Sequence, residues 1–114
     1  MERTAFYERA RVFMQQFDLL VTPQMSCVAW PADQPPRETD GTPTSRMFDH
    51  LPFTFHFNMT GWPTATLPCG FSHEGLPIAL QVVAGWHQDV LCLRAAAAFE
   101  LIQPWATYRP PLVA

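Results

Sequence analysis

Lysine is absent from this chain. All seven basic residues among its 114 are arginines, set singly along the sequence, so no ammonium side chain is available to serve as a catalytic base once desolvated. Charge of either sign is scarce as well. Asp, Glu, Lys and Arg together make up 15%, against roughly a quarter in an ordinary soluble domain. A net charge of −3 with no basic stripe lacks the footprint that tracks a phosphate backbone, and nucleic acid is not an expected partner. No apolar run approaches the ~18 residues that span a bilayer. Met1 to Arg11 alternate charged and apolar groups without a signal-peptide core, so the expectation is a cytoplasmic protein with no membrane partner. The three cysteines, Cys27, Cys69 and Cys92, form no C-x-x-C pair. Their odd number and wide spacing argue against a disulfide framework and a structural zinc site, and neither a metal nor a cofactor is expected.

The length suits one small domain and is too short for two. From Thr4 to Gln16, apolar side chains at Phe6, Ala10, Phe13, Met14 and Phe17 follow the spacing of a helix with one buried face. Asp18 to Pro23 is a short unalternated apolar run closed by proline, which suits a strand covered on both faces in a parallel or mixed sheet. Residues 24–47 carry prolines at 31, 35, 36 and 43 with little periodicity and read as a long surface loop of the kind that often covers a site.

Pro52 fits the first turn of a helix over Pro52 to Met59, and Gly61 with Pro63 supplies its stop. Phe53, Phe55, His56, Phe57 and Met59 are apolar or aromatic nearly all round, the mark of a helix buried on several sides. Thr64 to Phe71 and Pro77 to Gly85 form an antiparallel pair joined by Ser72-His73-Glu74-Gly75. Asp89 is placed to cap a last helix whose stripe is Leu91, Ala95, Ala98, Phe99 and Ile102. The proline-rich tail from Trp105 to Ala114 is expected to be extended.

Cys69 beside Gly70, with His56 and His73 near in sequence, invites a nucleophile assignment. Proximity in sequence does not bring a base within hydrogen-bond reach, and packing is the better reading of Cys69. His50, His56 and Asp49 do not make a metal site, because six residues on a helix place the two histidines on different faces. Trp62 is read as packing in preference to a ligand-facing wall.

Taken in order, F-D-L-L-V-T-P, F-N-M-T-G-W-P, L-P-C-G-F, G-L-P-I-A-L-Q-V-V-A-G and L-R-A-A-A-A-F-E resemble the C-terminal end of the amidase signature family. The likeness runs from about Tyr7 to Pro110. It implies a partial amidase domain over residues 1–114: an α/β fragment in which a mixed β-sheet, one strand plus a β-hairpin, is flanked by helices. Family members run to several hundred residues, so this would correspond to about the last quarter. The family hydrolyses carboxylic amides to acid and ammonia, or in one branch supplies ammonia to a misacylated transfer RNA.

The resemblance implies a serine nucleophile, a second serine in a cis peptide and a lysine, the serines lying in a glycine- and serine-rich stretch. None of these can be placed here, since there is no lysine and the five glycines stand apart. No residue of this chain is therefore a catalytic candidate, and the 114 residues alone are expected to be inactive. The segment Asp49 to Phe57 is the part expected to touch a small-molecule amide substrate, with Leu51, Thr54 and Phe55 as a pocket wall. In the transfer-RNA branch an acidic residue holding the glutamine amino group stands where Leu51 stands here. That departure favours an apolar or aromatic amide, with Asp49 two residues away as a register alternative. A catalytically inactive module that self-associates, or complements an upstream chain, is the second reading.

Overall fold

The computed structural model of the chain describes residues 2–39, 41–44 and 49–109. The end of the expected loop and the last five residues of the expected tail lie outside them. In chain order the elements are α1 (Arg3–Met14), β1 (Leu19–Pro23), β2 (Glu38–Thr39), β3 (Thr42–Pro43), α2 (Phe55–Thr60), β4 (Thr64–Phe71), β5 (Pro77–Ala84) and α3 (Asp89–Ile102).

The β4–β5 hairpin forms as its alternation and turn residues require. Ser72 closes the turn: its N–H donates to Leu76 O at 2.8 Å, its carbonyl accepts from Gly75 N at 3.0 Å, and its hydroxyl oxygen accepts from the N–H groups of Glu74 and Leu76. The two strands are antiparallel, with a bulge between Pro68 and Gly70 that leaves Cys69 as the extra residue. Cys69 therefore lies inside the strand, which continues to Phe71.

The expected mixed sheet is corrected by the register. β1 pairs antiparallel with β5, Leu20 opposite Val83 and Thr22 opposite Gln81, giving the order β1-β5-β4 with every pairing antiparallel. β1 is also not covered on both faces, since Val21 remains 59% exposed. Burial instead concentrates on β5, where Gln81 to Ala84 are all buried and Val83 has no exposure.

Because neighbours in register share a face, Leu20 and Val83 point to one side of the sheet. There they meet Met14, Tyr7 and Ala10 of α1, Phe57 of α2, and Trp62. This corrects the expected stripe of α1: the face that packs is Tyr7, Ala10 and Met14, while Phe13 and Phe17 stay about half exposed and lie against each other at 5.1 Å between ring centroids. The 3.6-residue period holds, but the face is turned by one residue, because Tyr7 reaches both Trp62 and Trp86 edge-on. Trp62, 7% exposed, is a core residue.

On the other face α3 lies over β4 and β5. Its central contact is Cys92, 3% exposed, whose thiol donates toward Pro63 O at 3.3 Å and Val82 O at 3.6 Å. Gln88, not Asp89, is the N-cap, and Asp89 stands in the first turn, where a carboxylate favours the helix dipole. Ile102, expected in the buried stripe, is 80% exposed.

α2 is shorter than expected and is not buried all round. It begins at Phe55 after a turn, and Phe55 is 39% exposed while Thr60 is buried. α1 and the sheet approach it from one side through Phe57, and Arg3 Nε donates to Met59 O at 2.8 Å. The stop is as the sequence signals: Gly61 takes φ +70° and returns its N–H to Phe57 O at 2.9 Å. The long loop is also less irregular than expected, because β2 and β3 form a small antiparallel ladder within it, turned at Gly41.

Two glycines and one cysteine make this packing testable. Gly61→Ala places a Cβ in open space but at a left-handed backbone angle, so it should destabilise by about 1–2 kcal/mol through backbone strain alone. Gly85→Ala, also in open space and without that angle, should be neutral or slightly stabilising. Urea midpoints at unchanged slope check both. For Cys92, burial is the main cause that raises its pKa above the ordinary 9.0, with Asp89 adding to the rise against hydrogen bonds from Ala84 and Ala65 that lower it. The fold thus holds the proton more tightly than the unfolded chain does. Stability from this group should be intact below about pH 9 and should fall as pH rises through the folded-state value. Melting temperatures should drop more steeply above pH 9 in the wild-type chain than in Cys92→Ala.

Candidate functional site

The turn that leads into α2 builds the site. Phe55 N–H donates to Leu51 O at 3.4 Å and Phe57 N–H to Thr54 O at 3.2 Å, so the chain from Leu51 is already curling before the helix proper. Thr54 is the N-cap, in helical conformation and without a side-chain cap bond. This tight path brings Leu51, Pro52, Phe55 and His56 to one side, where they meet Thr42 and Pro43 of β3 around a cavity of about 310 Å³ that Asp49 also lines. Of the three residues expected to form a pocket wall, Leu51 and Phe55 share this cavity. Thr54 is half-buried at the helix start and is not among its lining residues.

A second cavity of about 580 Å³ shares Thr42, Asp49 and Pro52 with the first and continues to Pro23, Met25 and Ser26 at the end of β1. A third, of about 640 Å³, shares Met25 and Ser26 with the second and reaches Trp30 and Ile78. The three form a run along one side of the molecule, from α2 past the end of β1 to the β5 side of the hairpin. The loop that the sequence marks as a cover thus supplies a wall to each.

What holds the first wall is a residue that sequence reasoning passed over. Gln81, 2% exposed at the middle of β5, donates from Nε2 to Thr22 Oγ1 and to Phe53 O, both at 3.1 Å. One buried amide therefore ties β1, β5 and the turn before α2 together. Its signal was present in I-A-L-Q-V-V-A: a single amide inside an apolar strand run, where a buried polar side chain needs partners.

The arrangement holds, among the described residues, no nucleophile against a base. Among the described residues no hydrogen bond joins a serine, threonine or cysteine side chain to a histidine, and no group of three or more His, Cys, Asp or Glu converges on one point. Cys69 points its thiol at Ile78 O, 3.6 Å away, and His73 lies exposed near Glu74 at 3.9 Å. No helix among the described residues is long and apolar enough to cross a membrane.

The described residues thus form an antiparallel sheet with helices on both faces and a run of cavities along one side. Comparison with known proteins places this fold. The sequence model of the Amidase family matches residues 1–93, and this chain belongs to that family. An acylamidase from Rhodococcus erythropolis is 36% identical over 99 residues, covering 86% of this chain and 21% of that protein. A glutamyl-tRNA(Gln) amidotransferase polypeptide from Thermosynechococcus vestitus is 34% identical over 103 residues, covering 90% of this chain and 20% of its own length. The crystal structure of a bacterial aryl acylamidase of the amidase signature family superposes with a TM-score of 0.80 at 28% identity, over 95% of this chain and 24% of that one. The chain thus spans about a fifth of the length of these curated relatives.

The Gln81 contacts give a direct test. Gln81→Leu keeps the volume but strands the Phe53 carbonyl, while the Thr22 hydroxyl keeps its bond to Pro23 O, and should destabilise by about 1–3 kcal/mol. Gln24→Ala removes an exposed bond from Thr66 and should change stability by no more than about 0.5 kcal/mol. Chemical denaturation of the two variants side by side separates a buried tie from a surface one.

Proposed function

We propose that these 114 residues are the C-terminal part of an amidase-family hydrolase that converts a carboxylic amide and water to carboxylic acid and ammonia, contributing scaffold and one wall of the substrate pocket. The nucleophile, the relay serine and the lysine belong to a portion of the fold that these residues do not include. The observation that carries this reading is the conjunction of family membership over most of the chain with a sequence that contains no lysine at all.

The substrate wall in this reading is Leu51 and Phe55, which share the cavity, while Thr54 stands outside its lining at the start of α2. Leu51 offers nothing to an ammonium group, which supports an apolar or aromatic amide over glutamine. Asp49 lines the same cavity, so the wall keeps a carboxylate two residues from the position where the amidotransferase branch has one. The acylamidase and aryl acylamidase relatives support the same preference.

The exposed apolar side chains support a partner surface. Val90, Leu93 and Leu101 recur on one side of α3 and are 69%, 66% and 87% exposed, and Val21 leaves the β1 side of the same sheet face open. Faces of this kind are covered in a stable assembly. The occupant supported here is the rest of the amidase fold, and in its absence the chain associates with itself.

The test is a chimera. Replacing the corresponding last fifth of the Rhodococcus erythropolis acylamidase with this chain should preserve ammonia release from an aryl amide, while the 114 residues alone should release none and should sediment as oligomers. Hydrolysis by the chain alone would sink the proposal, as would a folded chimera with no activity. Within the chimera, Leu51→Asp should raise the relative rate on glutamine.

A further inference from the structure

The third cavity differs in kind from the one that Leu51 and Phe55 share. Asp49 and His56 border the Leu51 cavity. Around the third cavity stand residues 24–30 and 77–79, and no Asp, Glu, Lys, Arg or His is among them. An ionised ligand would lose its hydration there with no counter-charge to replace it. The volume, about 640 Å³, lies in the range of small-molecule sites.

Its walls are large apolar side chains that remain open. Ile78 is 41% exposed and Trp30 36% exposed, and both border this space together with Met25, Val28 and Ala79. The indole lies against the His50 ring, 4.9 Å away and tilted by 47°. Two buried polar atoms stand out here: His50 Nδ1, on that ring, and Ser26 Oγ, whose residue borders the cavity. Ser26 Oγ is closed off from solvent and has no hydrogen-bond partner among the described residues, an uncommon state for a buried hydroxyl and one that asks for a reason. Rotation about its Cα–Cβ bond between staggered positions breaks no existing hydrogen bond. A turn toward the cavity therefore gains a partner if a ligand presents an acceptor there.

We propose that this cavity is a binding subsite for a neutral, aromatic-sized group bearing a carbonyl oxygen, with the ring against Trp30 and Ile78 and the Ser26 hydroxyl donating to the carbonyl. It is separate from the Leu51 wall and connected to it only through the middle cavity, by Met25 and Ser26 on one side and Thr42, Asp49 and Pro52 on the other. The assignment does not rest on amide hydrolysis.

Acetophenone is the probe, because it has the ring and the carbonyl but no amide bond to cleave. In the ¹⁵N-labelled chain it should shift the indole N–H resonance of Trp30, assigned by its loss in Trp30→Phe. Ser26→Ala should weaken the apparent affinity by about three- to tenfold, the value of one hydrogen bond. Ile78→Trp, at an exposed position that tolerates size, should fill the space and abolish the shift. His73→Ala, at an exposed turn residue that does not line the cavity, should leave it unchanged. Benzoate, the same ring with a charge, should bind at least about tenfold more weakly. Absence of any Trp30 shift up to the solubility limit of acetophenone would overturn the proposal. So would equal affinity in Ser26→Ala, or benzoate binding as well as acetophenone.

Discussion

The strand Pro77–Ala84 is the member on which the other elements depend, and the amide of Gln81 is the contact that makes it so. A central antiparallel strand spends its backbone groups on its two neighbours, so only side chains can reach beyond the sheet. Val83 does this by apolar contact and Gln81 by hydrogen bonds, and the two stand on the same face. Val83 gathers Met14, Trp62 and Phe57 without specifying their direction, because burial of apolar area is non-directional. Gln81 supplies the direction. Its fixed bond to Phe53 O sets the position of the turn before α2, and with it Leu51 and Phe55 at the cavity wall. Removing an apolar neighbour would loosen this region, whereas removing the amide would leave the half-buried Phe53 carbonyl without its hydrogen bond.

The helices cover the sheet on a diagonal. α1 and α2 close one face through Leu20 and Val83, while α3 closes the opposite face through Cys92 over β4 and β5. The remaining corners differ chemically. Thr64 and Thr66 occupy the β4 corner of the first face and are exposed and polar, as water requires. Val21 occupies the β1 corner of the other face and is exposed and apolar.

Much of the local architecture was legible in the sequence because it is set by local chemistry. The glycine stop at Gly61, the hairpin turn at Ser72 to Gly75 and the presence of three helices each follow from residues within a few positions of one another. What was not legible depends on distant partners. The rotation of the α1 face toward Tyr7 is decided by Trp62 and Trp86, which lie 55 and 79 residues further on. The antiparallel placement of β1 is decided by β5, and a short apolar run reads the same in either orientation. Gln81 was overlooked because it sits in a motif whose neighbours are all apolar, and the motif was read for its pattern rather than for its exception. Within the candidate site, the resemblance points to Leu51 and Phe55, and the structure brings both to one cavity. The way they come to share a cavity with Asp49 and β3 required the small ladder inside the loop, which neither periodicity nor proline content announces.

The proposed division between wall and reaction has a physical reason. A catalytic serine and its base must be held to within a fraction of an ångström by surrounding packing, and the glycine-rich backbone that receives the oxyanion belongs with them. A substrate wall is under a weaker demand: it must be shaped and dry, and it must not drift. An antiparallel hairpin with a buried amide tie meets that demand with few residues. The side chains that set its chemistry, Leu51, Phe55 and Asp49, sit on a turn whose backbone is fixed from behind by Gln81. They can therefore change identity without disturbing the tie. In the proposed reading, the side chains at the wall can then vary while the backbone behind them stays in place.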